Sequence, residues 1–328
     1  MTAATGIGSM PGEDSAAFTE AVKLVLDELP DLPHLPELPG RGAVASMTGR
    51  ALAVVAELGA DLQPAGWRLT DAAGVDQRRA RSLLAQDLDT LEEQAQGLEG
   101  RLKIQVAGPW TLAATVERPR GDKVLADHGA RRDLAQALAH GLTEHLADVR
   151  RRVPGAELVV QVDEPALPAV LAGRVPTASG FSRHRSVDPP GASPALEWVF
   201  EAVRSAGAVP VAHCCAAEVP VSLLVGAGAA GVSVDLSHLA PGVYDELAGL
   251  LERGAPVYLG VVPATDPDTE PTDRSATERV LRLLDMLGLE PGEVTGSLVV
   301  TPSCGLAGAS RGWARKALGL TRTVAGNL

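Results

Sequence analysis

The stretch "VPVAHCCAAEVPVSLLVGAGAAGVSVD", residues 209–235, decides the fold. It opens on a β-branched run at 209–214 and closes on another at 231–235, with a helical pattern over 217–227 between them. A strand, a helix and a second strand in that order read as one unit of a parallel α/β fold. A strand sends alternate side chains to opposite faces, so His213 and Cys215 share one face and Cys214 takes the other. A disulfide between the vicinal Cys214 and Cys215 would strain the peptide bond that joins them. Chance, core filling and a metal site are the remaining readings of the pair.

The same alternation runs along most of the chain. Candidate strands are 4–9, 66–70, 102–108, 157–163, 209–214, 231–235, 256–261 and 297–302, with helical patterns such as 74–97, 123–152, 194–206, 240–253, 273–287 and 310–325 between them. Eight strands alternating with helices predict an α/β chain folded as a single (β/α)8 TIM barrel, one catalytic domain over 1–328. The segments after strands, "ERPRGDK" (117–123), "PTASGFSRHRSVDPPGASP" (176–194) and "PATDPDTEPT" (263–272), are long and rich in Gly, Pro and charge, as loops of an active face are. In "LPDLPHLPELPG" (29–40) the prolines at 30, 33, 36 and 39 recur every three residues. That period suits polyproline II, and predicts a stiff surface crossing in the first βα unit with His34 exposed.

Composition excludes several function classes. Hydrophobic residues make up 45% of the 328 residues and aromatics 3%, so the core must be mostly Ala, Val and Leu. A net charge of −12 argues against a nucleic-acid partner, which needs a basic face. The longest apolar stretch, 221–234, has 14 residues and is too short to span a bilayer. Three cysteines make no disulfide framework, and the N-terminus lacks the basic and apolar regions of a signal peptide. These features predict a cytoplasmic protein with reduced thiols and no membrane association.

The chemistry-bearing residues fall at strand ends. His213 and Cys215 close the fifth predicted strand, Asp235 the sixth, and Cys304 in "TPSCGL" follows the eighth. A histidine, two cysteines and a carboxylate form a tetrahedral zinc set; small core residues with a satisfied histidine are the alternative. Asp163 and Glu164 in "QVDEPALP" (161–168) end the fourth strand, where adjacent carboxylates can anchor an ammonium group, share acid–base work or cap the next segment. "GIGSMPG" (6–12) offers backbone amides and Ser9 to an anion such as a carboxylate, while Pro11 breaks the dinucleotide fingerprint. Trp110 in "AGPWTL" (107–112) reads as a pocket wall or as core.

Taken in order, "GIGSMPG", "GPWTL", "QVDEPALP", "HCC", "GVSVD" and "TPSCGL" resemble the C-terminal catalytic barrel of cobalamin-independent methionine synthase, from residue 5 to about 310. The wider superfamily includes uroporphyrinogen decarboxylase and zinc-dependent methyltransferases acting on other thiols. The resemblance implies zinc held by His213, Cys215 and Cys304, with Asp235 where the full-length enzyme has Glu, and no catalytic group beyond the zinc site. It implies that Ile7 and Ser9 hold the carboxylate of homocysteine through the backbone, and that Asp163, with Glu164 beside it, grips the amino group. The implied activity is methyl transfer to the homocysteine thiol. Two departures stand out. "GRGAVASM" (40–47) offers no acid in place of the family's second amino-group carboxylate, and "GVVPATDP" (260–267) lacks the proton-donor histidine. The missing histidine leads to the expectation of methylcobalamin or a corrinoid protein as methyl donor ahead of methyltetrahydrofolate, with methyl-folate as the other candidate. The competing readings are a methyltransferase for another thiol, a non-catalytic zinc-binding barrel, and a decarboxylase, for which only Arg183, His184 and Arg185 speak.

Overall fold

Seven strands lie side by side in one parallel sheet of the computed structural model, which describes residues 2–328; six match expected runs, and the seventh, Ala3–Ala4, shares only Ala4 with the expected 4–9. In chain order the strands are β1 (Ala3–Ala4), β2 (Gly59–Gln63), β3 (Gly66–Thr70), β4 (Gly100–Ala107), β5 (Ala156–Asp163), β6 (Val209–Cys214), β7 (Gly231–Asp235), β8 (Val257–Val262) and β9 (Leu298–Pro302). The parallel sheet runs β1-β9-β8-β7-β6-β5-β4. Every residue of β7, β8 and β9 is buried, as happens when helices cover one face and side chains fill the other. Helices over His128–Arg152, Pro189–Ser205, Asp273–Leu287 and Arg311–Gly326 begin on side-chain caps from Asp127, Asp188, Thr272 and Ser310, which take up otherwise unpaired backbone N–H groups.

The sheet curls on itself. Ala3 of β1, Val159 of β5, Val211 of β6, Tyr258 of β8 and Val299 of β9 meet Leu32 in a small apolar cluster separate from the main core. This cluster plugs the end of the sheet where the strands begin. The carboxyl ends of the strands, where the chemistry-bearing residues sit, lie at the other end.

Two expectations fail here. The run "GWRLT" is not a strand of the parallel sheet: as β3 it pairs antiparallel with β2 in a separate hairpin. The hairpin's outer edge bonds to a loop instead, through Leu69 N–H to Glu117 O and Glu117 N–H to Trp67 O. Nor does the proline segment cross the surface. Leu29, Leu32, Leu35 and Leu38 share the prolines' three-residue period and are all buried, at 0–1% exposure. Leu32 packs into the small cluster and Leu29, Leu35 and Leu38 into the main core, and the whole run 32–38 is buried.

This segment lies between the sheet's two edges. Leu35 N–H donates to Lys103 O of β4 (2.8 Å), and Lys103 N–H returns to Pro33 O (2.8 Å). On the other side, Glu37 N–H donates to Gly8 O (3.0 Å) and Met10 N–H to Glu37 O (2.8 Å), just beyond β1. Pro33 and Pro36 have no N–H to give, which limits the ladder to isolated bridges. His34 is buried, not exposed, and lies so close to Gly6 that a Cβ there would sit 2.3 Å from its ring. Among the described residues no helix is long and apolar enough to cross a membrane.

Candidate functional site

Neighbouring parallel strands bring the strand ends into register. Asp163 of β5 pairs with His213 of β6, and His213 with Ser233 of β7. His213 Nδ1 lies 2.9 Å from Ser233 Oγ, which orients the ring, while Nε2 is buried with no hydrogen-bond partner. Cys215 and Cys304 stand beside it, one residue beyond β6 and two beyond β9, with their sulfurs 3.0 Å apart. The ligand atoms of His213, Cys215 and Cys304 all lie within 4.8 Å of one another.

The two thiols lie within hydrogen-bond distance of each other. The bond between them, with His213 nearby, pulls the pKa of Cys304 down to about 4. That same bond, together with burial, pushes Cys215 up. A thiolate, a second sulfur and an unpartnered imidazole nitrogen are the donor set that zinc prefers. Two sulfurs bound to one tetrahedral ion at about 2.3 Å lie about 3.8 Å apart, so the thiols need part by less than about 1 Å to hold one. Cys214, facing the other way, is buried in the apolar core, where burial pushes its thiol to about 12.

Asp235 does not join the three. Its Oδ1 accepts Ser237 N–H (2.8 Å), and its Oδ2 lies 3.2 Å from His238 Nδ1. A short aspartate naturally bonds the backbone two residues on, and here it caps the turn Leu236–His238 instead of entering the cluster. His238 Nδ1 also lies 3.2 Å from the Cys215 carbonyl, so this turn forms the rim of the cluster.

A cavity of about 290 Å³ opens over the cluster, lined also by Ile7, Ser9, Glu37, Gln105 and Asp163. Asp163 Oδ1 accepts from Gln161 Nε2 (2.7 Å); burial raises its pKa to about 7, against the pull of His213. Below it Lys103, fully buried, donates to Ile7 O (2.8 Å) and Gln161 Oε1 (2.7 Å). Burial lowers Lys103 to about 7, against the opposing pull of Asp163 and Glu37. Gln161 Nε2 also reaches Ile7 O (2.9 Å), so the start of the chain and Asp163 are tied to one buried network. Ser9 packs under Gly305, where a Cβ would sit 2.0 Å from its hydroxyl, and its carbonyl accepts Leu306 N–H (2.7 Å).

Glu164 is not in the cavity. Its Oε1 accepts Trp110 N–H (2.9 Å), and its Oε2 accepts Thr111 N–H and Thr111 Oγ1 (both 2.7 Å), at the start of helix Pro109–Thr115. The carboxylate is fully buried on orphan helix N–H groups, a structural anchor in place of the expected substrate ligand. Trp110 is core: it is buried and donates Nε1 to Ala192 O (3.0 Å). Arg183 and Arg185 are exposed on a loop away from the cavity lining, with His184 buried between them against Asp122.

One acid the sequence did not single out enters the cavity. Glu37 is buried on the proline segment, its Oε1 3.2 Å from Arg50 Nε. Arg50 in turn pairs with Asp87 (2.5 Å), as does Arg41 (2.7 Å). Glu37 directly follows Pro36, stands two residues before Pro39 and adjoins the buried Leu38, so the leucines recurring every third residue were the available signal.

A family profile described as "Cobalamin-independent synthase, Catalytic domain" matches residues 96–327, more than two thirds of the chain. No curated protein matches in sequence. Among solved structures, a B12-independent methionine synthase from Shewanella sp. W3-18-1, in complex with selenomethionine, is 14% identical with a TM-score of 0.65, covering 100% of this chain and 97% of that one. At that identity the likeness is one of fold. A methylaspartate ammonia lyase from Clostridium tetanomorphum (11% identity, TM-score 0.46, covering 100% and 57%) and a β-mannanase from the blue mussel Mytilus edulis (9%, 0.47, 98% and 91%) also match, too loosely to carry an argument. The family is described as cobalamin-independent, so the expected methylcobalamin or corrinoid donor finds no support.

Proposed function

This chain belongs to the family of cobalamin-independent synthase catalytic domains, and on that premise we propose that it methylates the thiol of homocysteine to give methionine at a zinc site made by His213, Cys215 and Cys304. The observation that carries the reading is the orphaned Nε2 of His213 beside two thiols whose sulfurs lie 3.0 Å apart, at the floor of a cavity lined by acids. Zinc bound there would supply a Lewis acid that keeps the substrate sulfur deprotonated at neutral pH. In the reaction the thiol gives up its proton, an S–CH3 bond forms, and the bond between the methyl group and its donor breaks.

The chain's own residues bind and orient the substrate. Asp163 accepts from the α-ammonium, and Glu37 is the second carboxylate, arriving from 33–37 rather than from 40–47. Each has one oxygen already committed, to Gln161 and Arg50 respectively, which fixes where the other points. The backbone at Ile7 and Ser9 receives the α-carboxylate, anchored from below by Lys103 and Gln161. The chain works as one catalytic domain, a (β/α)8 barrel in which 33–37 takes the eighth strand's place. The bonds from that segment to Lys103 on one side and to Gly8 and Met10 on the other support this closure. A cytoplasmic site of action suits three free cysteines.

The test is to supply zinc-loaded protein with homocysteine and methyltetrahydrofolate and to measure methionine. Formation of methionine that is lost in Cys304→Ser, with homocysteine binding weakened at least tenfold in Glu37→Gln, supports the reading. Protein that binds one equivalent of zinc but neither binds nor methylates homocysteine overturns it.

A further inference from the structure

Two glutamines face each other in register on β4 and β5, Gln105 and Gln161, and their amides are in opposite states. Gln161 is saturated: its Oε1 accepts from Lys103, and its Nε2 donates to Ile7 O and Asp163 Oδ1. Gln105 is only half used. Its Nε2 donates to Leu35 O at 2.7 Å, which fixes the orientation of the amide, because a flipped group would set two oxygens against each other. Its Oε1 is buried without any hydrogen-bond partner, on a residue that is 8% exposed and lines the cavity.

A buried acceptor left unmade costs about 1–3 kcal/mol, so such a group calls for a donor that arrives with a ligand. We propose that Gln105 is a specificity-determining residue of this site: its Oε1 is the third acceptor for the substrate's α-ammonium, completing a cradle with Asp163 and Glu37. This rests on the amino-acid substrate proposed above. An ammonium group carries three N–H bonds, and three side chains in the cavity lining each keep one oxygen uncommitted: Asp163 beyond its bond from Gln161, Glu37 beyond its pair with Arg50, and Gln105. A neutral third acceptor suits the position. Two carboxylates already share this buried volume, and a third negative charge would repel both. The proline segment sets the arrangement, since Leu35 holds the Gln105 amide and Glu37, two residues on, supplies a carboxylate.

The test compares ligands that differ only in the ammonium group. Zinc-loaded wild type and Gln105→Met are titrated by calorimetry with homocysteine and with its des-amino analogue, 4-sulfanylbutanoate. Methionine and 4-(methylthio)butanoate form a second pair that needs no thiol. The expected result is a loss of roughly ten- to hundredfold in affinity of Gln105→Met for homocysteine and methionine, the worth of one buried hydrogen bond. The des-amino ligands should bind both proteins within about twofold. Gln105→Ala is read the same way; both variants drop the bond to Leu35, a loss the des-amino ligands control for, and thermal melting confirms that each variant is folded. An equal loss for both members of a pair, or no loss for either, overturns the Gln105 assignment while leaving the homocysteine reading intact. If the wild type binds neither homocysteine nor methionine, both readings fall together.

Discussion

Replacing Glu164 by alanine separates structure from recognition at the end of β5. The side chain is fully buried and accepts from two backbone N–H groups and one hydroxyl at the start of helix Pro109–Thr115. Glu164→Ala strands the N–H groups of Trp110 and Thr111, at about 1–3 kcal/mol each, and removes a negative charge from a helix N-terminus. Thr111 Oγ1 can turn elsewhere and adds little. The expected destabilisation is about 2–5 kcal/mol, read from the midpoint of urea unfolding followed by circular dichroism. Zinc stoichiometry and homocysteine affinity of the folded variant should stay within about threefold of wild type. The isosteric Glu164→Gln adds a pH signature. Burial raises Glu164 from its ordinary 4.5 to about 7, so the folded protein takes up a proton that the unfolded chain does not hold in that window. The stability this contributes is present in full below about 4.5 and is lost as pH rises to about 7, so the wild type's advantage over Glu164→Gln shrinks across that range. A variant of wild-type stability that has lost affinity for homocysteine would refute the anchor and return Glu164 to the substrate site.

Cys215→Ser should abolish zinc binding, measured by metal analysis after dialysis, while Cys214→Ser keeps one equivalent of zinc and lowers stability by about 1 kcal/mol, because it places a hydroxyl in an apolar core; the reverse pattern would mean that the two side chains face the other way. Asp235→Ala should leave zinc affinity within about tenfold of wild type in competition with a chromophoric chelator, since its carboxylate is held by Ser237 and His238; a larger loss makes it the fourth ligand. Lys103→Met tests the buried ammonium. Burial lowers Lys103 from 10.5 to about 7, so above about 7 the folded protein sheds a proton that the unfolded chain keeps. Wild-type stability should therefore rise relative to Lys103→Met between about pH 7 and 10.5, and a difference that is flat with pH refutes a buried, titrating lysine.

The strands legible in the sequence are those whose burial is local in cause. Runs such as 158–162 and 298–302 are mostly apolar and buried on both faces because helices cover one side and the curled interior the other. "GWRLT" shows the limit of that signal. Its alternation marks a strand but says nothing of its partner, and β2 lies too near in sequence for a parallel connection, so the two close as a hairpin. The segment 29–40 escaped because prolines mask strand propensity, although its leucines are buried in two clusters, Leu32 in one and Leu29, Leu35 and Leu38 in the other.

At the site the same alternation of faces governs two strand ends. It separates Cys214 from Cys215, and the structure separates Asp163 from Glu164 in the same way, one facing the cavity and the next facing a helix. What no local rule supplies is the balance of buried charge. Glu37, Asp87 and Asp163 stand against Arg41, Arg50 and Lys103, three acids to three bases, joined by ion pairs and by the Gln161 amide. Only Glu37 and Asp163 of the six line the cavity, the others balancing them from behind, and such a formally neutral set would take the proposed zwitterion without leaving net charge out of water. A ligand bearing only a carboxylate or only an ammonium would strand one, at a cost that far exceeds a single hydrogen bond. The amino-acid substrate proposed above would draw on residues scattered from 37 to 163, which are brought together by the segment 33–37, bonded to Lys103 on one side and to Gly8 and Met10 on the other.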